Sequence, residues 1–124
     1  MHVRDLVYPV VAFSPAGWDK EASEVQELTD ASPDDDLLEW QGIEVVDATG
    51  THYRALRVYR AWPRSTWGVW LCRLANNCIH VDMDLVSEGT MPLDNLKARM
   101  VGYYGDASQL AAATTHREVI ELYL

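Results

Sequence analysis

The sequence predicts an α+β fold, and two features of the residue pattern support this prediction. Residues 42–86 alternate apolar and polar side chains with period two, interrupted by short turns, which is typical of antiparallel strands. Apolar residues recur at helical spacing on both sides of this stretch. With 124 residues, the chain has the usual length of one domain, and we expect residues 1–124 to form a single domain.

The N-terminal segment is predicted to form a strand followed by an acidic helix. Val3 to Phe13 is rich in residues that favour strands, although Pro9 within it lacks the N–H that a sheet ladder uses. Residues 16–29 carry apolar side chains at helical spacing with acidic residues between them, so we expect an amphipathic helix there. Ser32-Pro33-Asp34-Asp35 has the features of a helix start and predicts a short helix that ends near Trp40.

An antiparallel meander of four strands is predicted across residues 42–86. The expected strands are residues 43–48, 53–62, 67–74 and 78–86. Turn residues separate them at Thr49-Gly50, Pro63–Thr66 and Asn76-Asn77. Because connections this short join only antiparallel neighbours, every strand pair in the span should be antiparallel.

The C-terminal region is predicted to pack a helix on one face of the sheet. Pro92 begins this helix, and Gly105 ends it. Residues 107–113 are expected to form a loop or a short helix. The last ten residues allow two interpretations, because Thr115 and Glu118 have the spacing of a capping box whereas residues 119–123 are good strand formers. A strand is the favoured interpretation.

Acidic residues are concentrated in one part of the chain. The formal net charge is −9, and residues 19–47 hold eleven acidic residues and one lysine, a net charge of −10. This excess opposes nucleic-acid binding, which depends on Lys and Arg neutralising phosphates. The sequence also lacks an apolar stretch of the length that spans a membrane, so we expect a cytoplasmic protein.

A dense negative surface favours a binding function, because it steers a basic partner into contact. The resulting hypothesis is a small acidic binding or inhibitory protein, and its gross profile resembles the immunity proteins of bacterial competition systems, which inhibit toxin domains. We expect no catalytic residues, no metal and no cofactor. The residues expected to contact the basic partner are Glu24, Glu27, Asp34, Asp35, Asp36, Glu39, Trp40, Trp62 and Trp67.

Two alternatives to a binding protein remain open at this stage. In a strand, His80, Asp82 and Asp84 share one face, and such side chains suit a metal site or a small enzyme. However, successive same-side residues lie about 7 Å apart, so the three cannot all reach one ion. A non-catalytic oligomeric subunit is the other alternative. The arginines near residues 54–60 are expected to pair with the acidic helix or to contact a partner.

Overall fold

The computed structural model describes residues 1–31, 37–61, 79–101 and 107–124. Six strands form one sheet in the order β2-β1-β4-β5-β6-β3, and every neighbouring pair is antiparallel. The α+β class and the antiparallel sheet are therefore confirmed. The strands are β1 (Val10–Phe13), β2 (Asp19–Ala22), β3 (Asp30–Ala31), β4 (Glu44–Val46), β5 (Thr51–Ala61) and β6 (Ile79–Thr90).

Short helices fill the rest of the described chain. They are a 3-10 helix (Val3–Asp5), α1 (Val25–Thr29), α2 (Leu37–Trp40), α3 (Leu93–Met100), α4 (Ala107–Ala112) and α5 (His116–Glu121). None of the helices in the described ranges is long and apolar enough to cross a membrane.

The N-terminal strand is shorter than predicted. Residues 3–5 form the 3-10 helix, and His2 caps it, because the His2 Nδ1 accepts a hydrogen bond from the Arg4 N–H at 3.2 Å and Asp5 Oδ2 accepts one from the His2 N–H at 3.3 Å. The strand begins only at Val10, directly after Pro9. Local side-chain capping thus takes priority over strand propensity in the first turn.

The predicted acidic helix over residues 16–29 is helical only at Val25–Thr29. Gly17 adopts a positive φ of 101° in a tight turn, and the Ser14 N–H donates to the Trp18 carbonyl, so the chain reverses and forms β2. Ala22 of β2 is fully buried against β1. The apolar spacing that suggested a helix therefore belongs to a hairpin and a separate short helix.

The meander prediction is correct in strand direction but wrong in strand order. The Thr49-Gly50 turn joins β4 to β5 as predicted, and Asp47 Oδ1 accepts from the Thr49 and Thr51 N–H groups. Beyond that turn β5 pairs directly with β6, from Thr51 opposite Thr90 to Ala61 opposite His80. The prediction placed another strand, residues 67–74, between these two. That segment and both of its turns lie outside the described residues.

Two apolar cores lie on opposite faces of the sheet. On the first face, the 3-10 helix, α1 and α2 cover β1, β4, β5 and β6, with Leu28 and Trp40 buried among the strand residues. On the second face, α3, α4 and α5 cover β1 and β4, where Val11, Phe13 and Val46 contribute to the core. The helices of the second face do not extend their apolar contacts to β5 and β6.

The C-terminal residues form a helix rather than the favoured strand. The Thr115 Oγ1 accepts from the Glu118 N–H at 3.1 Å, which is the capping interaction of the alternative interpretation. Val119 and Ile120 are fully buried in the second core. The Tyr123 hydroxyl donates to the Met100 carbonyl at 2.7 Å and joins the end of the chain to α3. The predicted short helix near residues 107–113 is present as α4.

Candidate functional site

The residues predicted to contact a partner fall into three groups. Exposed carboxylates on or beside α1 and α2 form the first group: Glu24, Glu27 and Glu39. We call these three residues the acidic surface. Trp40 forms the second group, because it is buried. The remaining predicted contact residues lie outside the described part of the chain: Asp34, Asp35, Asp36, Trp62 and Trp67.

Trp40 is a core residue, which corrects its expected role as a partner contact. Only 2% of it is exposed, and the Trp18 ring meets it edge-on with centroids 5.1 Å apart. The Lys20 Nζ lies 5.4 Å from the centroid of the Trp40 ring, on the same face of the sheet. A helix as short as α2 depends on packing for its stability, and Trp40 provides that packing.

Two carboxylates of the acidic surface are held in place by the surrounding fold. The Glu39 Oε2 accepts a hydrogen bond from the Trp18 Nε1–H at 3.2 Å. The Glu27 Oε2 accepts from the Ser23 N–H at 2.7 Å, just before α1 begins. These bonds from Ser23 keep the pKa of Glu27 below its ordinary value, so Glu27 is ionised at neutral pH. The negative charges therefore have defined positions.

Arg54 of the sheet and Arg99 of α3 pair with acids outside the acidic surface. Arg54 contacts Glu88 at 2.6 Å and Glu44 at 3.2 Å, and Arg99 of α3 contacts Glu44 at 2.7 Å. Burial acts to raise the pKa of Glu44, but the hydrogen bond and the charge of Arg99, with His52 and Arg54 nearby, hold it below its ordinary value. Among the described residues, no arginine forms an ion pair with the acidic surface.

A second carboxylate pair lies on β2, the edge strand. Asp19 and Glu21 are opposite Phe13 and Val11 of β1 and therefore share the second face of the sheet. Burial, a hydrogen bond with Asp19 and repulsion from its charge raise the pKa of Glu21 to about 7. Near neutral pH this pair carries less negative charge than the sequence suggests.

The exposed half of the second face carries alternating charges on β5 and β6. Side chains of the two strands that point to this side are Arg54, Leu56, Arg57, Tyr59, Asp82, Asp84, Val86 and Glu88. We call this set the open strand face. As predicted, the residues between the β6 members are buried in the first core: Val81, Met83 and Leu85.

Neither nitrogen of the His2 ring is free for catalysis. The Nδ1 accepts from the Arg4 N–H, and the Nε2 contacts Asp82. Asp82 also accepts from the Met83 N–H at 2.9 Å through its Oδ1. In the described part of the chain, no group of three or more His, Cys, Asp or Glu side chains is placed to hold a metal ion. The side chain of His80 is not among those described.

Comparisons with known proteins give no relative for this chain: no family model, curated protein or solved structure matches it. Sequence reasoning identified the exposed acids of the acidic surface but missed the ion pairs around Glu44. The β4 alternation contained a signal for them, because Glu44 occupies the second-face position next to Arg54 of β5.

Proposed function

We propose that this chain is a small acidic protein that binds and neutralises a basic protein partner. In its most concrete form it is an immunity-type inhibitor of a toxin domain that acts in the cytoplasm. The observation that supports the proposal most directly is the separation of charge across the molecule. Glu24, Glu27 and Glu39 are exposed, and no described arginine forms an ion pair with them, whereas Arg54 and Arg99 pair with acids elsewhere.

The acidic surface has the properties that fast recognition of a basic protein needs. α1 and α2 pack on the same face of the sheet, since Leu28 and Trp40 belong to one core. Their exposed carboxylates therefore lie on one side of the molecule, and the fields of neighbouring like charges add there. The sequence adds Asp34, Asp35 and Asp36 between the two helices. Such a field raises the rate at which a positively charged partner associates.

Two carboxylates of the acidic surface are held in fixed positions, and this also favours binding. Glu27 and Glu39 are already hydrogen-bonded to Ser23 and Trp18. Holding the charged groups before the encounter reduces the entropy lost on association. A surface that served only solubility would not require fixed carboxylates.

Affinity capture with charge-matched baits tests the proposal. The baits are the wild type, the Glu24→Gln/Glu39→Gln variant, and the control Asp94→Asn/Glu121→Gln, which removes two exposed charges from the C-terminal helices. We expect quantitative mass spectrometry of the host lysate to find a basic protein on the wild type and the control, with about tenfold less on the Glu24/Glu39 variant. Equal recovery on all three baits would refute the proposal.

A further inference from the structure

No described element covers the open strand face of β5 and β6, whose charges are arranged in two opposite rows. Arg54 and Arg57 lie on β5, and Asp84 and Glu88 lie on β6. Apolar side chains lie among them: Leu56 is 69% exposed and Val86 is 38% exposed. A patch of exposed apolar side chains with charged residues around it is typical of an interaction surface.

Two of the charges on this face have no ion-pair partner in the described part of the chain. Arg57 and Asp84 are opposite each other in the register of β5 and β6, yet no ion pair between them is formed. Arg57 places its guanidinium over the Tyr59 ring at 4.6 Å instead. Among the described residues, neither Arg57 nor Asp84 takes part in an ion pair, whereas Arg54 and Glu88 pair with each other.

A β-bulge explains why these side chains project outward. The register shifts between Ala55 and Arg57, so Leu56 and Arg57 together oppose the single residue Asp84. Ala55 and Val58 on either side are buried in the first core. The bulge therefore directs both an apolar and a cationic side chain to the second face.

We propose that the open strand face binds a second copy of this chain in a two-fold symmetric dimer. A two-fold axis parallel to the strands, between β5 and β6, places β5 of each copy over β6 of the other. Because Arg57 and Asp84 are register partners, this operation brings Arg57 of each copy over Asp84 of the other. Each of these charges gains one partner, and the Arg57–Asp84 contact occurs twice, as an isologous interface requires. The same axis brings the Leu56 side chains of the two copies towards the centre of the interface.

The dimer is compatible with the proposed function but does not depend on it. The open strand face is on the second face of the sheet, and the acidic surface is on the elements that cover the first face. Dimerisation therefore leaves both acidic surfaces accessible. Each dimer would present two of them, which makes binding to a clustered basic partner bivalent.

Charge reversal with mixing tests the dimer directly. We expect analytical ultracentrifugation of the wild type to show a reversible monomer–dimer equilibrium, and Arg57→Asp or Asp84→Arg alone to weaken dimerisation about tenfold or more. In an equimolar mixture of the two variants, a heterodimer has both contacts between opposite charges, one with the original polarity and one with the polarity exchanged, so we expect it to form. The double variant Arg57→Asp/Asp84→Arg should likewise recover self-association.

A further variant and circular dichroism spectra distinguish loss of dimerisation from misfolding of a variant. Leu56→Asp changes a side chain that is mostly exposed, and we expect it to keep the wild-type spectrum and to weaken the dimer. The proposal is overturned if the wild type is monomeric up to several hundred micromolar. It is also overturned if the wild-type dimer is insensitive to all three single changes, or if mixing folded charge variants does not restore association. Binding of another protein to this face by a monomeric chain would contradict it as well.

Discussion

The two halves of the second sheet face differ in what covers them. Over β1 and β4, helices α3 to α5 bury Val11 and Val46 completely. Over β5 and β6, the same face carries Arg57 and Asp84 and remains open. Nothing in the backbone pairing distinguishes the halves, since all strands are antiparallel. The difference lies in the second-face side chains, which are mostly apolar in one half and mostly charged in the other.

This contrast is visible in the sequence of the individual strands. Val10–Phe13 is apolar at every position, and all four residues are buried. A continuous apolar run of this kind is typical of a strand covered on both faces. Residues 82–85 alternate between aspartate and an apolar residue, which is typical of a strand with one open face. The composition of each strand thus indicates whether helices cover its second face.

The largest expected effect is a difference in the free energy of unfolding between a substitution in the covered half and one in the open half. Leu96 of α3 is fully buried in the second core, so Leu96→Ala should lower the free energy of unfolding by about 2–5 kcal/mol. Val86 of the open half is partly exposed, and Val86→Ala should change it by no more than about 0.5 kcal/mol. Urea denaturation of both variants measures the difference. Similar losses would show that the open half is as tightly packed as the covered half.

Two glycines with positive φ sharpen the comparison. Gly50, at 84°, lies under the His116 ring, and an added Cβ would lie 2.6 Å from the His116 Cε1. Gly89, at 102°, is in the open half and has nothing within 4 Å. Both changes to alanine carry backbone strain of about 1 kcal/mol. Gly50→Ala should cost about 1–3 kcal/mol more because the ring must move away from the Met91 carbonyl.

Thermal or urea unfolding of the two glycine variants gives the comparison directly. Equal destabilisation by Gly50→Ala and Gly89→Ala would mean that the His116 contact does not hold α5 against the β4–β5 turn. In that case α5 would be held against the sheet by the apolar contacts of the second core and not by His116.

A smaller effect, a pH dependence of stability, is expected from the raised pKa of Glu21 on β2, at the edge of the covered half. The folded protein binds the Glu21 proton more tightly than the unfolded chain does, because the pKa rises from 4.5 to about 7. The resulting stability is complete below pH 4.5 and is lost as pH rises through about 7. Glu21→Gln should therefore stabilise the protein at pH 8, by on the order of 1 kcal/mol because solvent screens a half-exposed pair.

Urea denaturation of Glu21→Gln and the wild type at pH 4.5 and pH 8 checks this prediction. Asp19→Asn serves as the control, since it removes the repulsion from the Asp19 charge but keeps the burial of Glu21, and its amide can donate a hydrogen bond to the ionised Glu21. It should reproduce part of the stabilisation at pH 8. A Glu21→Gln effect that is the same at both pH values would show that Glu21 titrates alike in the folded and unfolded chain.

The sequence predicted the elements whose structure follows from side-chain periodicity better than the elements that depend on a turn, a cap or long-range strand pairing. The alternation at Asp82 and Asp84, the β4–β5 turn and the helix after Pro92 agree with the structure. The N-terminal helix is shorter than predicted and the C-terminal strand is a helix, because apolar residues at short range fit either period. A turn at Gly17 and a cap at Thr115 decided these two cases. Strand order was also wrong, since long-range pairing leaves no local signal.

The candidate site was predictable only in its charge. The concentration of acids indicated a negative surface, and Glu24, Glu27 and Glu39 are exposed as that prediction requires. The burial of Trp40 was not predictable, because an aromatic residue at a helix end fits a core or a partner equally well. The ion pairs of Arg54 depend on strand register, which the sequence pattern does not specify.

We propose that the acidic surface, together with Asp34, Asp35 and Asp36 between α1 and α2 in the sequence, steers a basic protein into contact. The most direct test is stopped-flow association of the captured partner with the wild type and with Asp34→Asn/Asp35→Asn/Asp36→Asn, at low and high salt. We predict that the triple variant associates about tenfold more slowly at low salt, and that the difference largely disappears near 1 M salt, where screening acts within about 3 Å. Unchanged association at low salt would contradict the claim and make the negative charge a solubility feature.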